Sequence, residues 1–206
     1  MPLKAIALNC TLKSDAAEAS SADAMLAVVN AAFVKQGVQI TETVRVAALH
    51  IKPGVTSDEG PGDDWPALRA KILACDILIF GGPIWLGGPS SVARRVLERM
   101  DAFISETDDK GRMPSYGKVA VTAIVGNEDG AHASAAQLYQ ALADVGWTIP
   151  PSASCYWVGE AMGSVDFKDL NPVPEKTRQT AAMMAATAAH LAGLLQAAPY
   201  PGQPED

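Results

Sequence analysis

Hydroxyl side chains are concentrated in the stretch NCTLKSDAAEASS, which directly follows the short apolar run KAIAL. Its polar side chains include those of Thr11, Lys13, Ser14, Ser20 and Ser21. Apolar residues at helical spacing follow, so the stretch ends at the N-terminus of a predicted helix. Such a terminus has free N–H groups and a partial positive charge, so this loop suits an anion such as a phosphate. The alternative is that Ser21 only caps the helix.

A second stretch, Asp76–Ser91 (DILIFGGPIWLGGPSS), places three large apolar residues in a predicted loop. Ile84, Trp85 and Leu86 lie between glycines, after an apolar run that predicts a buried strand. Pro89 suits the first position of the following helix. Large apolar side chains in a loop are unfavourable when exposed to water, so they indicate a cover for a flat apolar ligand. A partner subunit that packs on Trp85 is the alternative interpretation.

The third stretch, GNEDG, begins at Gly126 after the apolar run KVAVTAIV. Its glycines allow close approach of the backbone, and Asn127, Glu128 and Asp129 supply polar groups. A simple turn in which Asp129 caps the next helix is the alternative. His132 follows at the start of that helix, where it either approaches a ligand or is an ordinary helix residue.

Several kinds of chemistry have no support in the sequence. It contains no GxxxxGK[ST] phosphate loop and no GxGxxG after the first strand, which disfavours nucleoside triphosphates and dinucleotides bound in those ways. It also lacks a GxSxG nucleophile elbow. Three cysteines lie far apart and no CxxC occurs, so we predict no metal site. We likewise predict no catalytic side chain.

The elements that must position these loops alternate as strand and helix five times. Buried strands that alternate with helices predict a parallel sheet covered on both faces, here a flavodoxin-like, doubly wound three-layer sandwich of order 2-1-3-4-5. The three loops then meet at the carboxyl edge of the sheet, beside the switch point between strands one and three. We predict one domain over residues 1–198 and a disordered tail over residues 199–206, PYPGQPED.

Composition limits the possible partners of this chain. The 206 residues carry a net charge of −7 and form no basic stripe, which argues against a nucleic-acid partner. An odd, sparse cysteine count and the absence of a signal-peptide pattern favour a cytoplasmic location. Residues 180–198 contain no Asp, Glu, Lys or Arg, but they are mostly alanine with Thr, His and Gln interspersed. They predict an amphipathic helix docked on the sheet rather than a membrane span.

An anion site, a flat apolar cover and a polar loop together suit a phosphorylated ligand with a planar ring, and flavin mononucleotide (FMN) has all three features. The sequence also resembles flavodoxin-like NAD(P)H-dependent FMN reductases and quinone reductases. NCTLKS…SSAD, GGPIWLGGPSSVARRVLERMD and GNEDGAH carry this resemblance, which spans roughly residues 3–160. The first motif departs from the common GSxRxxS form of that family, because it contains Lys13 and an insertion at Asp15–Ala19.

The resemblance implies a role for each of the three loops. The residues implied to hold the FMN phosphate are Cys10, Thr11, Lys13, Ser20 and Ser21. Those implied to lie along the isoalloxazine are Pro83, Ile84, Trp85, Leu86 and Gly87. Those implied to meet the polar edge of the ring are Gly126, Asn127, Glu128 and Asp129. Similar proteins are commonly homodimers or homotetramers with the flavin near a subunit interface.

The function expected from this resemblance is that of an FMN-dependent NAD(P)H oxidoreductase. Hydride would pass from NADPH or NADH through bound flavin to a small-molecule acceptor such as a quinone or free flavin. Two alternatives remain open: an electron carrier of the flavodoxin type, and a binding or scaffold protein that keeps the fold without flavin.

Overall fold

A central sheet organises the computed structural model, which describes residues 2–202. Its strands are β1 (Lys4–Asn9), β2 (Gln39–Arg45), β3 (Ile77–Trp85), β4 (Gly88–Pro89), β5 (Val119–Gly126) and β6 (Ser154–Val158). Five of them pair in parallel in the order β2-β1-β3-β5-β6, and the two-residue β4 pairs antiparallel with the end of β3. If β4 is left out and the other five strands are numbered along the chain, their order across the sheet is 2-1-3-4-5, so the predicted fold is confirmed.

Helices cover both faces of this sheet. They are α1 (Ser21–Lys35), α2 (Trp65–Leu73), α3 (Ser91–Met100), α4 (Ala131–Asp144) and α5 (Glu175–Ala197), with short 3-10 helices at Val46–Ala48, Asp101–Ile104 and Phe167–Asp169. Strand side chains alternate between the faces: Ile6 and Leu8 pack with α2, α3 and α4, whereas Ala5 and Ala7 pack with α1 and α5. The two apolar clusters thus hold the sheet between two helical layers.

The last helix lies against the sheet through one apolar face. Met184, Ala188 and Leu195 of α5 are buried in the cluster that α5 shares with α1. Across residues 2–202, no helix combines the length and the apolar character that crossing a membrane requires. Beyond α5, the ring of Tyr200 lies 5.8 Å from that of Tyr116, and residues 203–206 of the predicted tail lie outside the described residues.

The third helix begins two residues later than the sequence indicated, and one of its charged residues faces the interior. Pro89 is not its first residue, because the side chain of Ser90 caps the helix by accepting a hydrogen bond from the N–H of Ala93, at 3.2 Å. At Asp101 the backbone tightens into a 3-10 turn. Helical spacing also groups Arg99 with solvent-facing charged residues, and this expectation is wrong because Arg99 is buried.

A buried ion pair between Arg99 and Asp63 explains this orientation. Both side chains are fully buried, and Arg99 Nη2 lies 2.8 Å from Asp63 Oδ2. The guanidinium also donates to the carbonyl oxygens of Thr56 and Lys52 at 2.9–3.0 Å, and it lies 5.7 Å from the ring centre of Trp65. Arg99 therefore ties the loop before α2 to α3.

The carboxylate of Asp63 is satisfied by more than this one partner. Burial by itself would raise the pKa of Asp63, but Arg99 and the N–H groups of Glu59, Trp65 and Lys52 lower that pKa below its usual range. The group is accordingly charged at neutral pH, and its charge is balanced inside the protein.

Candidate functional site

A cavity of about 590 Å³ opens at the carboxyl edge of the sheet. The loops that follow β1, β3, β5 and β6 line it. In doubly wound sheets, ligands bind at this edge, near the point where the strand order reverses. The volume also lies within the range of small-molecule sites, so this cavity is the principal candidate for a binding site.

The start of α1 forms one end of the cavity. Ser20 is the N-cap, and it forms a reciprocal capping box with Asp23 in which each side chain accepts from the other residue's backbone N–H at 3.1 Å. The capping residue is therefore Ser20 and not Ser21. The hydroxyl of Ser21 instead accepts a hydrogen bond from the N–H of Lys168, at 3.3 Å. The loop after β6 thus lies beside the N-terminus of α1.

Two lysines place positive charge at this end of the cavity. Lys13 Nζ lies 2.9 Å from a carboxylate oxygen of Glu18, and Lys168 Nζ lies 2.8 Å from Asp166 and 2.9 Å from Asp169. The hydrogen bond between Asp166 and Lys168 lowers the pKa of Asp166 and raises the pKa of Lys168. Asp166 and Lys168 are therefore both charged at neutral pH. An entering anion would share or replace the carboxylates that pair with the two lysines.

The apolar wall is built differently from the loop that the sequence suggested. Gly81–Pro83 do not end the third strand; β3 continues to Trp85 and then turns through Leu86 and Gly87 into β4. The φ angles of Leu86 and Gly87 are +52° and +74°, as in a two-residue hairpin turn with both central residues left-handed. Ile84 is buried at the base of this wall, while Trp85 is 53% exposed and Leu86 is 98% exposed.

Glu128 braces this turn from the neighbouring loop. Its Oε1 accepts a hydrogen bond from the N–H of Leu86 at 3.0 Å, and its Oε2 accepts one from the N–H of Gly87 at 3.2 Å. Two successive left-handed residues direct their N–H groups to one side, which favours an anion there. The carboxylate of Glu128 supplies that anion and links the loops after β3 and β5.

The cavity brings together residues from all three predicted motifs. Among the predicted residues, its lining includes Thr11, Lys13, Ser20, Ser21, Pro83, Ile84, Trp85, Leu86, Gly126, Asn127 and Glu128. Cys10, Gly87 and Asp129 do not line it. Complete burial raises the pKa of the Cys10 thiol, and the Asp129 side chain accepts from the N–H of Gly130 at 2.7 Å. A direct contact of each residue with a flavin stays a prediction.

Sequence reasoning missed the fourth loop of the site. Trp157, Met162, Gly163, Asp166 and Lys168 also line the cavity. Trp157 belongs to β6, and its ring lies 5.5 Å from that of Phe167. The signal was the position of this segment, because the loop after the fifth parallel strand must also reach the carboxyl edge.

The donor set of the cavity fits FMN. Hydroxyl, ammonium and helix N–H groups stand at one end, which suits a phosphate dianion. Apolar and aromatic groups line other parts of the cavity, on Pro83, Ile84, Trp85 and Trp157, which suits a flat ring. Asn127 adds an amide, whose Nδ2 donates to Asp166 at 3.1 Å and to the carbonyl oxygen of Gly163 at 3.3 Å.

His132 lies apart from this cavity. Its Nε2 is 3.1 Å from the hydroxyl of Tyr156, and the two rings meet edge to face at 5.1 Å. Over residues 2–202, no cluster of three or more His, Cys, Asp or Glu side chains is placed to hold a metal ion. His132 is therefore a surface partner of Tyr156 rather than a part of the cavity lining.

Known proteins resemble this chain over most of its length. It is 32% identical over 210 residues to the 8-demethyl-8-aminoriboflavin-5′-phosphate synthase of Streptomyces davaonensis, a match that covers 97% of this chain and 81% of that protein. It is 34% identical over 202 residues to a Mycobacterium bovis protein named divalent metal cation transporter MntH. That match covers 95% of this chain but only 29% of the length of the M. bovis protein.

Solved structures agree with this comparison. The crystal structure of RosB with the bound intermediate 8-demethyl-8-formylriboflavin-5′-phosphate has a TM-score of 0.86 and 31% identity, over 97% of this chain and 82% of that one. An archaeal flavodoxin, at a TM-score of 0.56 and 9% identity over 93% of this chain and 99% of that one, shares the fold alone. The model of the NADPH-dependent FMN reductase family matches residues 3–161. The chain therefore belongs to the NADPH-dependent FMN reductase family.

Proposed function

We propose that this protein is an FMN-dependent oxidoreductase in which NAD(P)H and a proton reduce a quinone-type acceptor to its hydroquinone, with release of NAD(P)⁺. FMN, when bound, would supply the hydride-accepting ring. The observation that carries the proposal is one cavity that joins an anion-binding end to a flat apolar wall, in a chain of this family.

The protein residues bind and orient in this proposal. Lys13, Lys168 and the N-terminus of α1 hold the phosphate, while Pro83, Trp85 and Trp157 exclude water from the faces of the ring. Asn127 meets the polar edge of the ring, and Glu128 fixes the turn after Trp85. No side chain is required to transfer a proton in this proposal, and the lack of a catalytic residue stays a prediction. The homodimer or homotetramer, the choice between NADPH and NADH, and the cytoplasmic location stay predictions.

The purified protein, incubated with FMN and desalted, is expected to keep the visible absorption bands of oxidised flavin. It should then oxidise NADPH or NADH when a quinone or ferricyanide is supplied. The loss of absorbance of the reduced nicotinamide measures this oxidation. A protein that retains no FMN would point to the flavin-free scaffold. A protein that retains FMN but oxidises neither nucleotide would point to an electron carrier.

A second candidate function is the chemical conversion of the flavin phosphate itself. The likeness to RosB favours it, because that structure has 31% identity and contains a modified riboflavin phosphate as a bound intermediate. Mass spectrometry of the flavin after turnover separates the two functions. The oxidoreductase returns FMN of unchanged mass, whereas a flavin-converting enzyme changes the mass of the ring system.

Replacement of Trp85 with alanine is expected to weaken FMN binding about tenfold or more. Aromatic stacking on a ring contributes roughly 1–3 kcal/mol per residue, and 1.4 kcal/mol corresponds to a factor of ten. Titration of the apoprotein with FMN, followed by quenching of flavin fluorescence, measures the dissociation constant. Leu194→Ala is the matched control, because Leu194 of α5 is also 53% exposed but lies outside the cavity lining. Equal dissociation constants for the two variants would contradict the role given to Trp85.

A further inference from the structure

Two large apolar residues at the cavity, Leu86 and Met162, have both an unfavourable backbone conformation and a side chain that is unfavourably exposed to water. Within residues 2–202, only three non-glycine residues have φ in the left-handed region: Leu86 (+52°), Ser152 (+57°) and Met162 (+59°). Such a conformation is costly for residues with a Cβ, and glycine, asparagine and aspartate tolerate it best. Ser152 is a polar surface residue outside the cavity lining, whereas Leu86 is 98% exposed, Met162 is 93% exposed, and both line the cavity.

Folding alone does not account for these two residues. Leu86 occupies the first central position of a two-residue hairpin turn, where asparagine, aspartate or glycine is favoured. A leucine there loses the conformational advantage of those residues and gains no burial in return. Strained residues of this kind occur where binding or catalysis requires them, so the pair indicates contact with a ligand.

The same loop holds both residues in place. The carboxylate of Glu128 accepts the N–H of Leu86, and the carbonyl oxygen of Asn127 accepts the N–H of Met162 at 2.9 Å. The Asn127 amide also donates to the carbonyl of Gly163, next to Met162. The backbones of both residues are therefore fixed relative to the end of β5, which sets where their side chains leave the chain.

We propose that Leu86 and Met162 determine acceptor specificity, by gripping a flat, uncharged electron acceptor at the cavity mouth; this rests on the proposed function. The side chains of Leu86 and Met162 are far more exposed than that of Ile84 at the base of the wall. We therefore assign them to the mouth of the cavity, which replaces the isoalloxazine contact that the family resemblance implied for Leu86. Both residues line the cavity, so an acceptor that enters it would reach them. Beside Leu86, the carboxylate of Glu128 also lines the cavity, and it disfavours a negatively charged acceptor at this point.

The test compares Leu86→Asn and Met162→Asn with the control Ser152→Asn, all in FMN-loaded protein. Asparagine relieves the backbone strain at each position, so all three variants are expected to unfold about 2–4 °C higher than the wild type. Equilibrium dialysis measures the dissociation constant of menadione, an uncharged naphthoquinone. It should rise about tenfold in Leu86→Asn and Met162→Asn through lost apolar contact, and should not change in Ser152→Asn. The ratio of kcat/KM for menadione to that for ferricyanide should fall by a similar factor in the first two variants.

Unchanged menadione binding and an unchanged kcat/KM ratio in both cavity variants would overturn the inference, even if FMN binds and NAD(P)H is oxidised. A lower molecular mass for the two cavity variants than for the wild type on light scattering, with menadione binding unchanged, would also overturn the inference. It would identify a second copy of the chain as the occupant. Failure of the wild type to oxidise NAD(P)H sinks the proposed function alone. Weakened menadione binding in Leu86→Asn would still support the specificity role, because dialysis requires no turnover.

Discussion

Replacing Arg99 with methionine is expected to lower the free energy of unfolding by about 3–5 kcal/mol, the usual cost of leaving one partner of a buried ion pair without the other. Methionine keeps much of the apolar length of the side chain but removes every donor. The carboxylate of Asp63 then stays fully buried without its guanidinium, and the carbonyl oxygens of Thr56 and Lys52 lose their donors. Urea unfolding followed by circular dichroism measures the change.

Arg178→Met provides the matched control, because it deletes an arginine whose ion pair with Glu175 is exposed on α5. Exposed pairs contribute about 1 kcal/mol or less, so this variant should unfold close to the wild type. The double variant Asp63→Leu/Arg99→Met should recover part of the loss, since replacing both members of a buried pair is far less costly than removing one. Equal stability of Arg99→Met and Arg178→Met would contradict the structural role of the buried pair.

The pH dependence of stability provides a second test of how much the Asp63–Arg99 pair stabilises the protein. The folded-state pKa of Asp63 lies below the unfolded value of about 3.9, so the pair stabilises the protein fully above that pH. This contribution is lost as the pH falls through the folded-state pKa. An Asp63→Asn variant should therefore show its largest deficit at neutral pH, and the deficit should shrink below about pH 4.

The parallel sheet was predictable because each strand is a short apolar run between turn residues. Because these strands alternate with helices, the connection rules favour a doubly wound parallel sheet. The position of the binding loops at its carboxyl edge follows from that topology. The three motif loops meet in one cavity for that reason. Ser20 and Ser21 could not be ranked as caps from sequence, since the choice depends on the backbone angles at the start of α1.

Contacts between distant segments were not predictable from local pattern. Arg99 lies at a position that helical spacing assigns to solvent, and only the fold brings Asp63 to it. Lys168 and Asp166 lie in a segment without periodicity, so nothing local marks them as neighbours of Ser21. The hairpin of β3 and β4 was hidden because a leucine occupies a turn position that normally signals itself through asparagine or glycine.

Replacing Gly130 with alanine is expected both to destabilise the protein and to impair FMN retention. Gly130 has φ = +129°, and a Cβ added there would lie 2.6 Å from Cα of Gly87 and 2.7 Å from its carbonyl oxygen. Real Cβ atoms do not approach backbone so closely, so the Leu86–Gly87 turn must move away from Glu128. Backbone strain of about 1–2 kcal/mol and overpacking of about 1–3 kcal/mol add to the cost.

Gly37→Ala separates these two contributions. Gly37 also has positive φ, at +77°, but a Cβ there would meet nothing within 4 Å. This control therefore includes the backbone strain without the overlap, and it lies far along the chain from the cavity loops, after α1. Gly130→Ala should be the less stable of the two by about 1–3 kcal/mol in urea unfolding. It alone should also lose FMN on desalting, because the turn it displaces directly follows Trp85, which is proposed to cover the flavin ring. Equal stability and equal flavin retention in the two variants would show that the close contact between Gly130 and the hairpin affects neither the shape of the cavity nor the stability of the protein.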